Sequence, residues 1–198
     1  MPVSVEGLSE LQRNLRRFDP ALKKDMDRSI KQAMLPIRDA ARGFVRDPAP
    51  MGLSSWAKPA VGVHYRPFPQ YDAGEIRRGI IYSAGKNKKN QNGWAAHYYI
   101  ANKSAAGAIY ETAGRKNPNG QPHTAGGRGN HDTSHSNNPD AGAHMISRSG
   151  PLYGKDKQRG RLIYKAWEQD QGRVYGAILK SIESAAADFN ANRTGVMI

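Results

Sequence analysis

The chain has 198 residues, room for one domain or one domain with a large loop, and 30 Lys and Arg against 17 Asp and Glu leave a net charge of +13. With 38% hydrophobic residues a modest core is expected rather than a fully compact globule. The absence of cysteine excludes a disulfide framework, a thiol nucleophile and a thiolate metal site. No apolar run approaches the ~18 residues that cross a bilayer. Residues 1–10 have neither a basic start nor an apolar stretch, so no secretory leader is expected. A soluble protein made in a cytoplasm follows as the expectation.

In chain order, Leu8, Leu11, Leu15 and Phe18 recur at spacings of 3, 4 and 3 and predict a helix over 8–18. Asp19-Pro20 closes it and opens the next, with Asp as N-cap and Pro at the first helical position. Leu22, Met26, Ile30, Ala33, Ile37, Ala40 and Phe44 carry that second helix from about 20 to 45. Pro36 lies inside the pattern and should kink it. The stripe reads as core.

Residues 46–70 break the periodicity with Pro48, Pro50, Pro59, Pro67 and Pro69, and predict a Pro-rich loop packed down through Trp56, Tyr65 and Phe68. Ile76, Ile80 and Tyr82 at even positions predict a strand over 75–82. A second strand is expected over 94–101 and a third over 108–111, together an antiparallel meander with one face on the helices. Residues 112–150 are rich in Gly, Asn, Pro, His and Ser and predict a long loop insertion, functional or disordered. Leu162, Ile163, Ala166, Trp167, Val174, Ile178, Ile182, Ala185 and Phe189 predict a long last helix over 160–190, weakened by Gly172 and Gly176. The expected fold is a single α+β domain over 1–198: an antiparallel β-sheet meander packed by two N-terminal helices and one long C-terminal helix, with long irregular loops.

The surplus charge is spread along the chain without a basic tail, and it suits a surface held near polyanion. Its densest spot, Lys86-Asn87-Lys88-Lys89-Asn90, reads as a hairpin tip, and no aromatic residues alternate with it to stack bases. His123, His131, His135 and His144 gather in the polar segment. Helix-breaking Gly126, Gly127, Gly129 and Pro139, and the lack of a Glu after His131, favour a solvated loop over a metal site. A nuclease using His131 or His135 as base has nothing further behind it. No Gly-x-Ser-x-Gly or phosphate-cradling loop is present. Glu75 and Glu111 could form a carboxylate pair, but nothing in the sequence orders them into a dyad. No enzyme, metal or cofactor is expected.

The order of motifs carries more. Val3-Ser4-Val5-Glu6-Gly7-Leu8-Ser9-Glu10-Leu11 opens the chain, with two basic amphipathic helices behind it. Tyr71-Asp72-Ala73-Gly74-Glu75-Ile76-Arg77-Arg78-Gly79-Ile80 follows, then Tyr110-Glu111-Thr112-Ala113-Gly114, and finally Gly160-Arg161-Leu162-Ile163-Tyr164-Lys165-Ala166 at the head of a long helix. The set resembles the tail-completion (head–tail joining, or neck) proteins of long-tailed bacteriophages, whose motifs read Gly-Leu-x-x-Leu, Thr-Gly-x-Leu-x-x-Ser-Ile, Val-Glu-x-Gly-Thr and Phe-Leu-x-Pro-Ala. This chain departs from them at Asp72-Ala73, at Gly79, in the Thr112-Ala113-Gly114 ending and at Lys165 before Ala166.

The resemblance implies a non-enzymatic virion protein of the head–tail connector or upper tail, in a tail-completion or tail-terminator role. Such a protein forms a homo-oligomeric ring, expected to be hexameric, around the DNA passage. It would be made in the host cytoplasm and touch neck and tail-tube proteins, and packaged DNA by nonspecific electrostatics, with no membrane. Lys86, Lys88, Lys89, Arg115, Lys116 and Arg128 are then the DNA-facing candidates. The alternative is a basic nucleic-acid-binding protein without enzymatic activity.

Overall fold

The structure, a computed structural model, describes residues 5–50, 56, 69–85, 96–123, 138–155 and 158–195. Among them the elements run α1 Leu8–Phe18, α2 Pro20–Gly43, α3 Ala73–Gly79, β1 Ile80–Ala84, β2 Tyr98–Asn102, α4 Ala105–Thr112, α5 Ala141–Ser149, β3 Tyr153–Lys155, β4 Gln158–Gly160 and α6 Ile163–Gly195. The fold is α+β, with β1 paired to β2 and β3 paired to β4 in two antiparallel sheets. The described residues fall into two compact units, the first within 1–37, 82–99 and 169–198 and the second within 38–81 and 100–168.

In the first unit the apolar periodicity sets the helices, except that Phe18 of the predicted α1 stripe is 63% exposed. Leu15, Met26, Ile30, Met34 and Ile37 on α1 and α2 are buried, as are Val174, Ile178, Ile182, Ala185 and Phe189 on α6. Asp19 caps α2, its Oδ1 accepting the Leu22 N–H at 3.0 Å. A polar network ties three elements together. The Tyr98 hydroxyl on β2 donates to Asp27 Oδ1 at 2.5 Å and accepts from Gln12 Nε2 at 2.8 Å, while Lys23 Nζ donates to Asp27 Oδ2 at 2.5 Å. Burial, helped by the nearby Asp27 charge, pushes the Tyr82 hydroxyl up to about 12 and Tyr98 also well upward. Both phenols therefore stay protonated, and Tyr98 acts as the donor Asp27 requires.

The second unit corrects several expectations. Residues 75–82 are not one strand: α3 occupies Ala73–Gly79 and β1 begins at Ile80. The reason is local, because the Asp72 carboxylate accepts the Glu75 N–H at 2.7 Å and nucleates a turn. Ile76 and Ile80 are four apart and serve a helix as readily as a strand. The expected third strand at 108–111 is the second half of α4, whose N-cap Ser104 accepts the Gly107 N–H at 3.2 Å. Ala105, Ala106 and Ala108 then favour the helix. Within the expected 112–150 loop, residues 141–149 form α5 with Met145 and Ser149 buried.

The start of the predicted last helix is β4 instead, and α6 begins at Ile163. Gly79 lies where α3 meets the start of α4: a Cβ there would come within 2.8 Å of Asn102 Oδ1 and the Ser104 N. Most of the Pro-rich 46–70 segment lies outside the described residues, and Trp56 within it is buried.

Replacing fully buried Ile30 by Ala should cost about 2–5 kcal/mol of stability. Tyr98→Phe, which strips one donor from Asp27 at little change in volume, should cost about 1–3 kcal/mol. Urea melts at neutral pH read both, and an unchanged midpoint for either would contradict the packing described.

Candidate functional site

The densest chemistry of the second unit gathers where the end of α4 meets the start of α6. The first N–H groups of any helix lack intrahelical acceptors and carry partial positive charge. Here Glu111, only 5% exposed, supplies the acceptors. Its Oε2 takes the Leu162 N–H at 2.6 Å, and Oε1 takes those of Ile163 at 3.1 Å and Tyr164 at 3.2 Å. Gly160 stands directly above the carboxylate, and a Cβ there would overlap it. Only glycine lets β4 pass.

Arg161 returns the connection. At 4% exposed, it donates from Nε to the Gly150 carbonyl at 2.8 Å and from Nη1 to those of Tyr110 at 3.0 Å and Ala113 at 2.7 Å. Those carbonyls belong to the ends of α5 and α4, where cations are favoured. Arg46 Nη1 donates to the Arg148 carbonyl at 2.8 Å, and the Tyr110 hydroxyl to that of Ser149 at 3.4 Å. Trp56, Tyr71 and Tyr110 pack edge-on or tilted around this point with ring centroids 5.0–6.4 Å apart. Tyr71 donates its hydroxyl to the Arg46 carbonyl at 2.8 Å.

Burial is the leading electrostatic cause throughout. It raises Tyr71, Tyr110 and Glu111 and lowers Arg161. For Glu111 the three N–H donors and Arg115 pull the other way, and burial outweighs them. With both carboxylate oxygens taken by backbone donors, Glu111 works as a clasp on α6. Glu75, its possible partner in the sequence, is exposed and sits on α3.

Of the DNA-facing candidates, Lys86, Lys88, Lys89 and Arg128 lie outside the described residues. Arg115 is half-buried, its Nε donating to the Arg159 carbonyl and its guanidinium 5.1 Å from the Tyr164 ring centre. Lys116 is exposed. His131 and His135 are outside the described residues and His144 is exposed on α5. Among the described residues no group of three His, Cys, Asp or Glu is placed to hold a metal ion. An open cleft of about 360 Å³ is lined by Asp47, Tyr71 and Asp72, among others. Asp72 is committed to the Glu75 N–H and Asp47 lies 3.7 Å from Arg77.

Sequence reasoning noted Arg161 only as part of a motif, and Glu111 as part of another and as a possible carboxylate partner of Glu75, and missed their joint role. The available signal was Gly160-Arg161-Leu162 ahead of a helix that has no Ser, Thr, Asp or Asn to cap it. Comparison with protein-family models, curated proteins and solved structures gave no match.

Glu111→Ala should cost about 3 kcal/mol or more, because three buried N–H groups lose their acceptor at once. Gly160→Ala should be comparably harmful. The proton linkage has a definite sign. The folded-state value of Glu111 lies above the ordinary 4.5, so the folded chain holds this proton more tightly than the unfolded one. That contribution is complete below about 4.5 and is lost as pH rises through the raised value. Stability of the native chain relative to Glu111→Gln, which does not titrate there, should fall across this window and then level off in melts from acidic to neutral pH.

Proposed function

We propose that the chain is a structural virion protein: a ring-forming subunit of a phage head–tail connector or upper tail, surrounding the DNA passage. The observation that carries this reading is the clasp between α4 and α6. Two of the segments on which the resemblance rests, 110–114 and 160–166, are joined through Glu111 and Arg161. The two motifs, distant in sequence, thus meet at one point of the second unit. Two N-terminal helices and a long C-terminal helix, in that order, accord with the same reading. The protein performs no catalysis on this view; its work is assembly, with the positive surplus tolerating passing DNA without reading its sequence.

The competing reading, a basic nucleic-acid-binding protein, draws on the net charge of +13 alone. Sizing at about 0.5 M salt separates them, because exposed charge contacts are largely screened there. A ring subunit should still self-associate or hold its tail partner, and negative-stain images should show closed rings. A chain that runs as a monomer and leaves nucleic acid under those conditions belongs to the second class.

A further inference from the structure

The basic residues divide into two populations. Many are occupied within the protein: Lys23 pairs with Asp27, Arg28 with Asp25, Arg38 with Asp39 and Arg173 with Asp170. On α1 the pattern differs. Arg13, Arg16 and Arg17 are all exposed, at the i, i+3, i+4 spacing that places side chains on one face. Among the described residues none of the three makes an ion pair or hydrogen bond; Arg17 lies only over the ring of Phe18, 5.0 Å from its centre. Asp19 caps α2, Asp25 holds Arg28 and Asp27 holds Lys23 and Tyr98. Glu10, on the same helix, forms no ion pair with Arg13 within 4 Å among the described residues.

We propose that this arginine face of α1 is a docking surface for the phosphate backbone of duplex DNA. Three unpaired guanidinium groups on one helical face complement a duplex that carries one negative charge per ~1.7 Å of its axis. Arg13 and Arg17 stand about 6 Å apart along the helix at ~1.5 Å per residue, a span that covers neighbouring phosphates. Arginine also offers forked donors that match phosphate oxygens. An anionic membrane is the rival occupant, but a helix that lies in a membrane surface inserts its apolar face. In α1 that face is already used, with Leu15 0% exposed and Leu8 and Leu11 partly covered. Phe18, 63% exposed, remains as the outward apolar residue on α1. The contact reads backbone charge and not sequence. It rests on side-chain exposure and pairing, independently of the ring.

The test uses the full chain and a fluorescent duplex of random sequence, with affinity read by anisotropy across a salt series. Arg13→Gln/Arg16→Gln/Arg17→Gln keeps good helix formers at all three positions. Circular dichroism and a thermal melt check that it folds. The variant should bind the duplex about 100-fold more weakly at about 0.1 M salt, and its log–log salt slope should be shallower by roughly 2–3. Arg173→Gln, which removes a locally paired arginine, should change little.

Unchanged affinity and slope in a folded triple variant would overturn the proposal. If the variant fails to fold, the unaltered chain decides: a slope corresponding to fewer than about two phosphates would overturn it equally. Binding to phosphatidylserine vesicles that exceeds duplex binding and is lost in Phe18→Ser would assign the face to a membrane instead. A chain that binds duplex through α1 yet never forms rings keeps this proposal and removes the ring reading.

Discussion

A helix start buried inside a protein needs acceptors for its first N–H groups, and Glu111 meets that need for the longest helix of this chain. Much of the second unit is arranged around that single carboxylate. β4 must present Gly160 to pass over it, and α4 must end where its side chain reaches the helix axis. Arg161 lies one residue beyond Gly160 and points back, holding the carbonyls that α4 and α5 leave open. Negative charge thus sits at a helix start and positive charge at two helix ends, the arrangement that backbone dipoles favour.

The same economy extends to several other arginines of the second unit, and it changes what the net charge means. Arg42 donates twice to the Ile80 carbonyl, Arg77 to that of Val45, Arg46 to that of Arg148 and Arg115 to that of Arg159. Lys165 lies over the rings of Phe44 and Tyr153. These cations tie irregular backbone together and are not simply a coat for polyanion. An Arg side chain with five donors can satisfy several carbonyls that a small core would leave unpaired. Formal charge therefore overstates what is free to act outward, and the exposed arginines of α1 are among those with no such duty.

The first unit works on different physics. Its helices bury apolar stripes, and its polar specificity rests on Asp27, which receives Tyr98 and Lys23 together. Gln12 completes the set by donating to the same phenol, so α1, α2 and β2 meet at one hydroxyl. A phenol held protonated by burial is a dependable donor, and a carboxylate with two donors tolerates partial burial.

What could be read from the sequence was what local periodicity and capping determine. The stripes of α1 and α2, the Asp19 cap and the body of α6 follow from residues three and four apart that must share a face. Segments 110–114 and 160–166 could be singled out in the sequence, but nothing local says that they meet. Tertiary structure decided the rest. Ile76 and Ile80 fit a strand and a helix alike, and only the Asp72 cap tips the balance. Ile109-Tyr110 has strand-forming residues, yet the segment becomes helix because Ser104 caps it and Glu111 must reach α6 from a helical turn. No local rule places a carboxylate under a helix that starts 52 residues later, because that contact depends on where the intervening chain has folded.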